Sequence, residues 1–377
     1  MRPADLPAPD SDALAASELL RERIREELRV HGGWISFARY MELVLHQPGL
    51  GYYAAGAAKL GAGGDFVTAP ELGPLFGRTL ARQFAQVFEQ SPRPAILELG
   101  AGSGALAAVL LDEFPGIDYR ILETSADLRD RQRRLLGDRA HWLDALPARV
   151  EGVVIANEVA DAIPVHAVAW THEGAMERGV IEAGGRLAWA DRAATAAVAG
   201  AAAGIAVELP PSGRYESEIG LAARAWMREL ASRLAHGALF VIDYGFCASE
   251  YYHPQRSMGT LSCHYRHRTH ADVFLHPGLQ DVTAHVDFSA LAHAACDSGL
   301  ALLGYTTQAA FLAACGITEV LAGYDAGDPQ RYLPRAAEAR VLLSPAEMGE
   351  LFKVLAVGRG IDAPLVGFSR GDRAHTL

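Results

Sequence analysis

Positive charge is in short supply: 34 Lys and Arg face 45 Asp and Glu across 377 residues, a formal net charge of −11. A long phosphate-tracking surface draws its affinity from Lys and Arg displacing counterions, so this balance argues against nucleic acid as a partner. A basic run does exist at Arg129, Arg131, Arg133 and Arg134, but its spacing is that of a solvated helix face. Cysteine is scarce too. Cys247, Cys263, Cys296 and Cys315 include no C-x-x-C pair, which gives no disulfide framework and fits a reduced compartment. Long apolar runs are missing: the most apolar stretch, 193–207, is Ala-rich and shorter than the ~20 residues of a membrane helix. The opening residues carry Asp5, Asp10 and Asp12, unlike a secretory signal or an acid-free presequence. The expectation is a cytoplasmic protein without membrane insertion.

What the chain has is core material, since 50% of its residues are apolar and 21% charged. Its length exceeds what one core usually organises. We expect an N-terminal helical and glycine-rich lid region over 1–90 and a catalytic domain over 91–377, with an insertion at about 165–235. Ser11 is placed to cap a first helix, in which Leu20, Ile24 and Leu28 recur at i, i+4 and i+8 before Gly32-Gly33. Ser36 opens a second helix that Pro48-Gly49 ends. The stretch 49–77 is rich in glycine with embedded aromatics, and a loop of that length is usually functional. From Pro94 strands and helices alternate: strand 95–99, helix 105–114, strand 118–123, helix 126–136, then apolar runs at 152–157 and 238–244. This β-α-β order predicts a doubly wound α/β fold with a parallel sheet, whose ligands bind beyond the carboxyl ends of the strands. Segments 165–170, 175–181 and 186–190, separated by Glu173-Gly174 and Gly184-Gly185, predict an antiparallel insertion over that end.

Between the first strand and helix lies Glu98-Leu99-Gly100-Ala101-Gly102-Ser103-Gly104. A glycine-rich turn there lets backbone approach a ligand and offers free amides at a helix N-terminus. Gly100-x-Gly102-x-x-Ala105 also fits a dinucleotide fingerprint, and Glu123, about 20 residues on, could hold a ribose in either reading. Glu98 inside the strand end, Gly104 in a tight G-x-G-x-G, and the late position of the strand favour S-adenosylmethionine over NAD. The order E-L-G-x-G-x-G, followed by an acid closing the next strand, resembles class I methyltransferases. Asn157, Glu158 and Asp161 close a later strand at the ligand edge, where the D/N-P-P-Y/F sequence of amide and base methyltransferases is absent. Paired carboxylates suit a cationic acceptor, whose guanidinium they can grip in a bidentate fork while its proton leaves. Asp243-Tyr244-Gly245 ends another strand at the same edge. Glu158, Asp161 and Asp243 are therefore the candidate catalytic groups. Cys263, His264, His267 and His270 have no second pair at finger-like spacing. With Arg266 and Arg268 between them they read as a polar loop touching substrate or cofactor, with no metal assigned.

Longer strings carry a resemblance. They are Gly51-Tyr52-Tyr53, the run 64–71 with Phe76-Gly77, the 98–104 loop, Asn157-Glu158 with 161–165, Asp243-Tyr244-Gly245, Gly259-Thr260-Leu261, 280–288, and Phe352-Lys353-Val354-Leu355. Over most of its length the chain resembles the MidA-like methyltransferases, whose mitochondrial members are protein arginine methyltransferases that assist assembly of respiratory complex I. The resemblance implies that the 64–71 loop closes over the cofactor. Asp65, Thr68 and Pro70 then join Glu98, Gly100, Gly102, Gly104, Glu123 and Asn157 as cofactor-binding residues. It places Glu71, His285 and Asp287 on the substrate side, and it implies a protein substrate such as a complex I subunit. A homodimer is compatible with the sequence. The rival expectations are a non-catalytic assembly factor using the fold as a binding platform, and an NAD-dependent oxidoreductase.

Overall fold

The computed structural model describes residues 6–54 and 68–377. Its first helix, α1 (Ser11–Val30), is capped by Asp10, whose Oδ1 accepts the Ala13 amide at 2.8 Å, so the cap falls one residue before the expected Ser11. A two-residue strand, β1 (Ile35–Ser36), leads into α2 (Phe37–His46), capped by Ser36 as expected. A single turn, α3 (Ala69–Leu72), precedes α4 (Pro74–Glu89). Buried Glu338 reaches across to the start of α4, its Oε1 accepting the Leu75 and Phe76 amides at 2.7 and 3.4 Å.

The alternation expected from Pro94 onward is present as β2 (Ala95–Leu99), α5 (Ala105–Glu113), β3 (Asp118–Leu122), α6 (Ala126–Leu136), β4 (His141–Leu143) and β5 (Val150–Asn157). An antiparallel sheet follows, made of β6 (His166–Thr171), β7 (Gly174–Ala183), β8 (Arg186–Ala193) and β9 (Arg214–Ile219). The chain then returns as β10 (Leu234–Phe246) and forms a small sheet of β11 (Ser262–Tyr265), β12 (Arg268–His270) and β13 (Asp281–Thr283). The short β14 (Val286–Asp287) leads to β15 (Ala301–Thr307) and β16 (Phe352–Arg359). In the central sheet the order is β15-β16-β10-β5-β2-β3-β4, with β10, β5, β2, β3 and β4 parallel and β16 antiparallel to both its neighbours. The chain runs outward from β2 to β4, then crosses back to β5. This switch point opens a crevice beyond the carboxyl ends of β2 and β5.

Strand periodicity explains why the parallel strands read as unbroken apolar runs. Ile96, Val153, Ile155, Phe240 and Val354 point into one core with α4 and α5, while Leu97, Val154, Leu239, Val241 and Leu355 point into another with the helices Leu221–Arg233 and Phe288–Asp297. Both faces are covered, so both sets of alternate positions are apolar. A third core joins the N-terminal helices to the antiparallel sheet: Leu20, Ile24, Phe37, Tyr40 and Met41 pack with Val165, Ala167, Val180 and Leu187. β1 adds a strand to that sheet by pairing Ile35 with Val180. Three cysteines are buried, Cys296 is exposed, and all four are free. Arg129, Arg131 and Arg133 pair with Asp144, Asp127 and Asp130, as a solvated helix face does. Among the described residues no helix is long and apolar enough to cross a membrane.

Candidate active site

A cavity of about 440 Å³ opens at the switch point, within the range of small-molecule sites. Its floor is the turn after β2. Gly100, Gly102 and Gly104 have φ of +62°, +56° and +86°, left-handed values that side chains disfavour. Glu98, Gly100, Gly102, Glu123, Asn157, Thr68 and Pro70 line the cavity, as expected from the sequence. Gly104 does not line it; this residue starts α5 in the left-handed region, where a Cβ would come within 3.4 Å of Gln132 and Leu135 on α6. Asp65 lies outside the described residues.

Two carboxyls brace this floor. Glu98 is buried, its Oε2 accepting the Tyr119 hydroxyl at 2.7 Å, and burial pushes its pKa up to about 7. Glu123 closes β3. Its Oε1 accepts the Ser125 amide at 2.9 Å and its Oε2 accepts Gln132 Nε2 at 3.1 Å. The same Gln132 nitrogen donates to Gly102 O at 2.8 Å, so one fully buried amide ties the loop to the acid. Sequence reasoning missed Gln132; a lone polar residue on the inner face of a helix was its only signal. Glu71, expected on the substrate side, lines the cavity but accepts the Ser103 hydroxyl, which ties it to the glycine loop.

The strand end 157–161 forms the opposite wall. Glu158 has a φ of +54°, an uncommon value for an acidic side chain, and its amide is fixed to Ile242 O at 2.8 Å. Glu158 Oε1 accepts the Ala69 amide and Asn157 Nδ2, each at 3.2 Å. Burial pushes its pKa up to about 8, and Asp161 and Glu71 nearby add to the rise. Asp161 is pushed up to about 6, mainly by burial, against a hydrogen bond from the Tyr244 hydroxyl. Asn157 Oδ1 and Glu158 Oε2 are buried polar atoms that make no hydrogen bond among the described residues. Such atoms are costly unless a ligand meets them. Together with the open glycine turn and Glu123, they fit an adenosyl amino acid laid across the strand ends.

Three expected site residues lie elsewhere. Asp243 is fully buried and does not line the cavity. Its Oδ2 accepts the amides of Val159, Ala160 and Asp161 at 3.2, 2.9 and 3.2 Å, and its Oδ1 accepts that of Tyr244 at 2.9 Å. With both oxygens so engaged it positions the Glu158 segment. His285 stacks on Phe246, with ring centres 5.2 Å apart and 5° between planes. Asp287 caps the helix Phe288–Asp297 through the Ala290 amide at 3.0 Å. Both line a separate void of about 20 Å³. The residue of their stretch that does reach the main cavity is Asp281, joined there by His46, Tyr52 and Tyr53, none of which was singled out as a site residue. The polar loop around His264, Arg266, His267 and Arg268 is not part of the lining either; Cys263 and His270 pair across β11 and β12. Among the described residues no group of three or more His, Cys, Asp or Glu could hold a metal ion.

Comparison with known proteins selects between the two cofactors that the glycine pattern admits. A family described as S-adenosyl-L-methionine-dependent methyltransferases matches residues 79–306. A crystal structure of a protein from Burkholderia thailandensis bound to S-adenosyl-homocysteine is 52% identical, covers 99% of this chain and 100% of that one, and superposes with a TM-score of 0.94. Among curated relatives, the mitochondrial protein arginine methyltransferase NDUFAF7 of Danio rerio is 30% identical, over 86% of this chain and 83% of that one. The human protein of the same name is 28% identical over 86% and 80%. S-adenosylmethionine is thus the cofactor and the fold is the Rossmann-like methyltransferase fold, so the NAD reading falls. The chain belongs to this family of S-adenosyl-L-methionine-dependent methyltransferases.

Proposed function

We propose that the chain methylates the guanidinium of an arginine side chain in a protein partner, with a respiratory complex I subunit as the partner suggested by the resemblance. The observation that carries this is the pair of acidic groups at the ligand edge, half-buried Glu158 and buried Asp161, with Glu158 Oε2 buried and without a partner among the described residues. The name carried by the mitochondrial relatives supports it. The cofactor supplies an activated methyl group, so the protein's task is to orient the acceptor and manage its proton. Backbone of 100–103 with Glu123 would hold the cofactor. Asn157 and Glu158 lie between that region and the acceptor. Burial favours the protonated form of both carboxyls, and repulsion from Asp161 adds to this for Glu158. A guanidinium would reverse this, since an opposite charge within a few ångström favours the ionised form. Ionised Glu158 would then hold the acceptor nitrogen in line and accept its proton as the methyl arrives.

The deciding experiment is mass spectrometry of the proteome, or of isolated complex I, with and without the gene. An arginine that gains 14 or 28 mass units (roughly, one or two methylenes) only when the gene is intact supports the reading. A partner that co-purifies with the protein and never gains that mass would favour the platform reading instead.

A further inference from the structure

The cavity is larger than the part bounded by the glycine loop, Glu123 and Asn157. Away from that loop its wall is built from three distant segments. They are the end of α2 with the residues after it (His46, Tyr52, Tyr53), the turn after β5 (Asp161, Pro164), and the start of β13 (Asp281). We propose that Tyr53 and Asp281 form the far end of the acceptor slot and select a planar cation, a guanidinium, over an ammonium. This rests on the arginine reading above and specifies which residues enforce it.

Three observations meet here. First, the placement is built. Gly51 allows the chain to fold back on α2, where a Cβ would lie 2.6 Å from the Gln47 nitrogen. The Tyr52 and Tyr53 amides then donate to Val44 O and Leu45 O at 2.8 and 2.9 Å. Second, the Tyr53 hydroxyl donates to Asp281 Oδ2 at 2.9 Å, which anchors one oxygen of that carboxyl at the cavity wall. Asp161, on the same cavity wall, also acts electrostatically on this phenol. Third, His46 stacks on Tyr53, with ring centres 5.8 Å apart and 19° between planes. Its Nε2 lies 3.3 Å from Ala162 O, which can only accept, so that nitrogen carries the proton. Burial lowers the His46 pKa, so the imidazole stays neutral and does not repel a cation. A fixed carboxyl beside a flat neutral aromatic pair matches the fork and the face of a guanidinium. A compact ammonium uses neither well.

The test uses bisubstrate probes: adenosine bearing an alkylguanidine at its 5′ carbon, the matched alkylamine, and S-adenosylhomocysteine as reference, each titrated calorimetrically into the full-length protein. Wild type should prefer guanidine over amine by about tenfold or more, the worth of one charge-assisted hydrogen-bonded pair. Asp281→Asn should lose that preference while its affinity for S-adenosylhomocysteine stays at the wild-type value. Tyr53→Phe, which keeps the ring and removes only the hydroxyl, should reduce it in part and serves if Asp281→Asn folds poorly. A preference retained in both variants overturns the role of this pair and leaves the arginine reading intact. No preference in wild type overturns both. Loss of S-adenosylhomocysteine binding in both variants shows a structural role and overturns the proposal.

Discussion

Glu158 combines three features that rarely meet in one residue: a left-handed backbone, a buried carboxyl oxygen, and no partner for that oxygen among the described residues. Each is unfavourable alone, and Asp243 counters them by gathering the three amides that follow. Glu158→Gln keeps the shape and removes the charge. Affinity for S-adenosylhomocysteine should survive, while transfer to an arginine acceptor falls on the order of 10²- to 10⁴-fold, as for loss of a general base. The pH profile gives the same group away. The arginine acceptor proposed above needs the ionised carboxylate, so kcat/KM should fall as pH drops through about 8, and the variant should lose that limb. Stability runs the other way. A pKa raised from 4.5 to about 8 by burial means the folded chain binds this proton more tightly than the unfolded one. Stability therefore declines as pH rises across that window. Glu158→Gln should melt above wild type at pH 8, with the difference vanishing toward pH 4.5; equal melting at both would show that the carboxyl is not under this strain.

The cofactor turn works because β2, the glycine loop and α5 are contiguous, and α6 clamps them through Gln132. A β-branched side chain at 102 would have to adopt a φ of +56°, at a cost of about 1–2 kcal/mol, and would fill the ligand's approach. Gly102→Val should remain folded by circular dichroism yet show no calorimetric binding of S-adenosylhomocysteine; binding at wild-type affinity would remove this loop from the cofactor site. Local contiguity also decided what could be read from sequence. The parallel strands show as apolar runs because both faces are buried, and Glu173-Gly174 and Gly184-Gly185 mark the turns of the antiparallel sheet. β9 escaped because Glu216, Ser217 and Glu218 are polar yet half-buried or buried, which periodicity reads as loop. The glycine loop and the 157–161 wall are single segments and were legible. Tyr53 and Asp281 are 228 positions apart and meet only through the fold. Asp243 shows a related limit: a polar strand end looks the same whether it faces the crevice or the neighbouring amides.

At the scale of the whole molecule, the cavity lies where two layers meet. The doubly wound sheet supplies the glycine loop and Glu158, and the N-terminal helices, fused to the antiparallel sheet by β1, supply His46 and Tyr53. Acidic groups from both layers face it: Glu71, Glu158, Asp161 and Asp281. The chain as a whole carries −11. A field of that sign does nothing for nucleic acid, but it raises the local concentration of a cationic acceptor and steers its approach. Salt weakens such steering because the screening length shrinks from about 30 Å at 0.01 M to about 8 Å at 0.15 M. With cofactor saturating and an arginine-containing peptide as acceptor, kcat/KM should decline as NaCl rises across that range. The peptide's KM should carry the change, since long-range attraction is complete before the chemical step, and kcat should hold steady. A kcat/KM that is flat or rises with salt would mean that the acidic surface is not turned toward the acceptor. A fall carried by kcat would instead place the salt-sensitive charges at the reacting atoms.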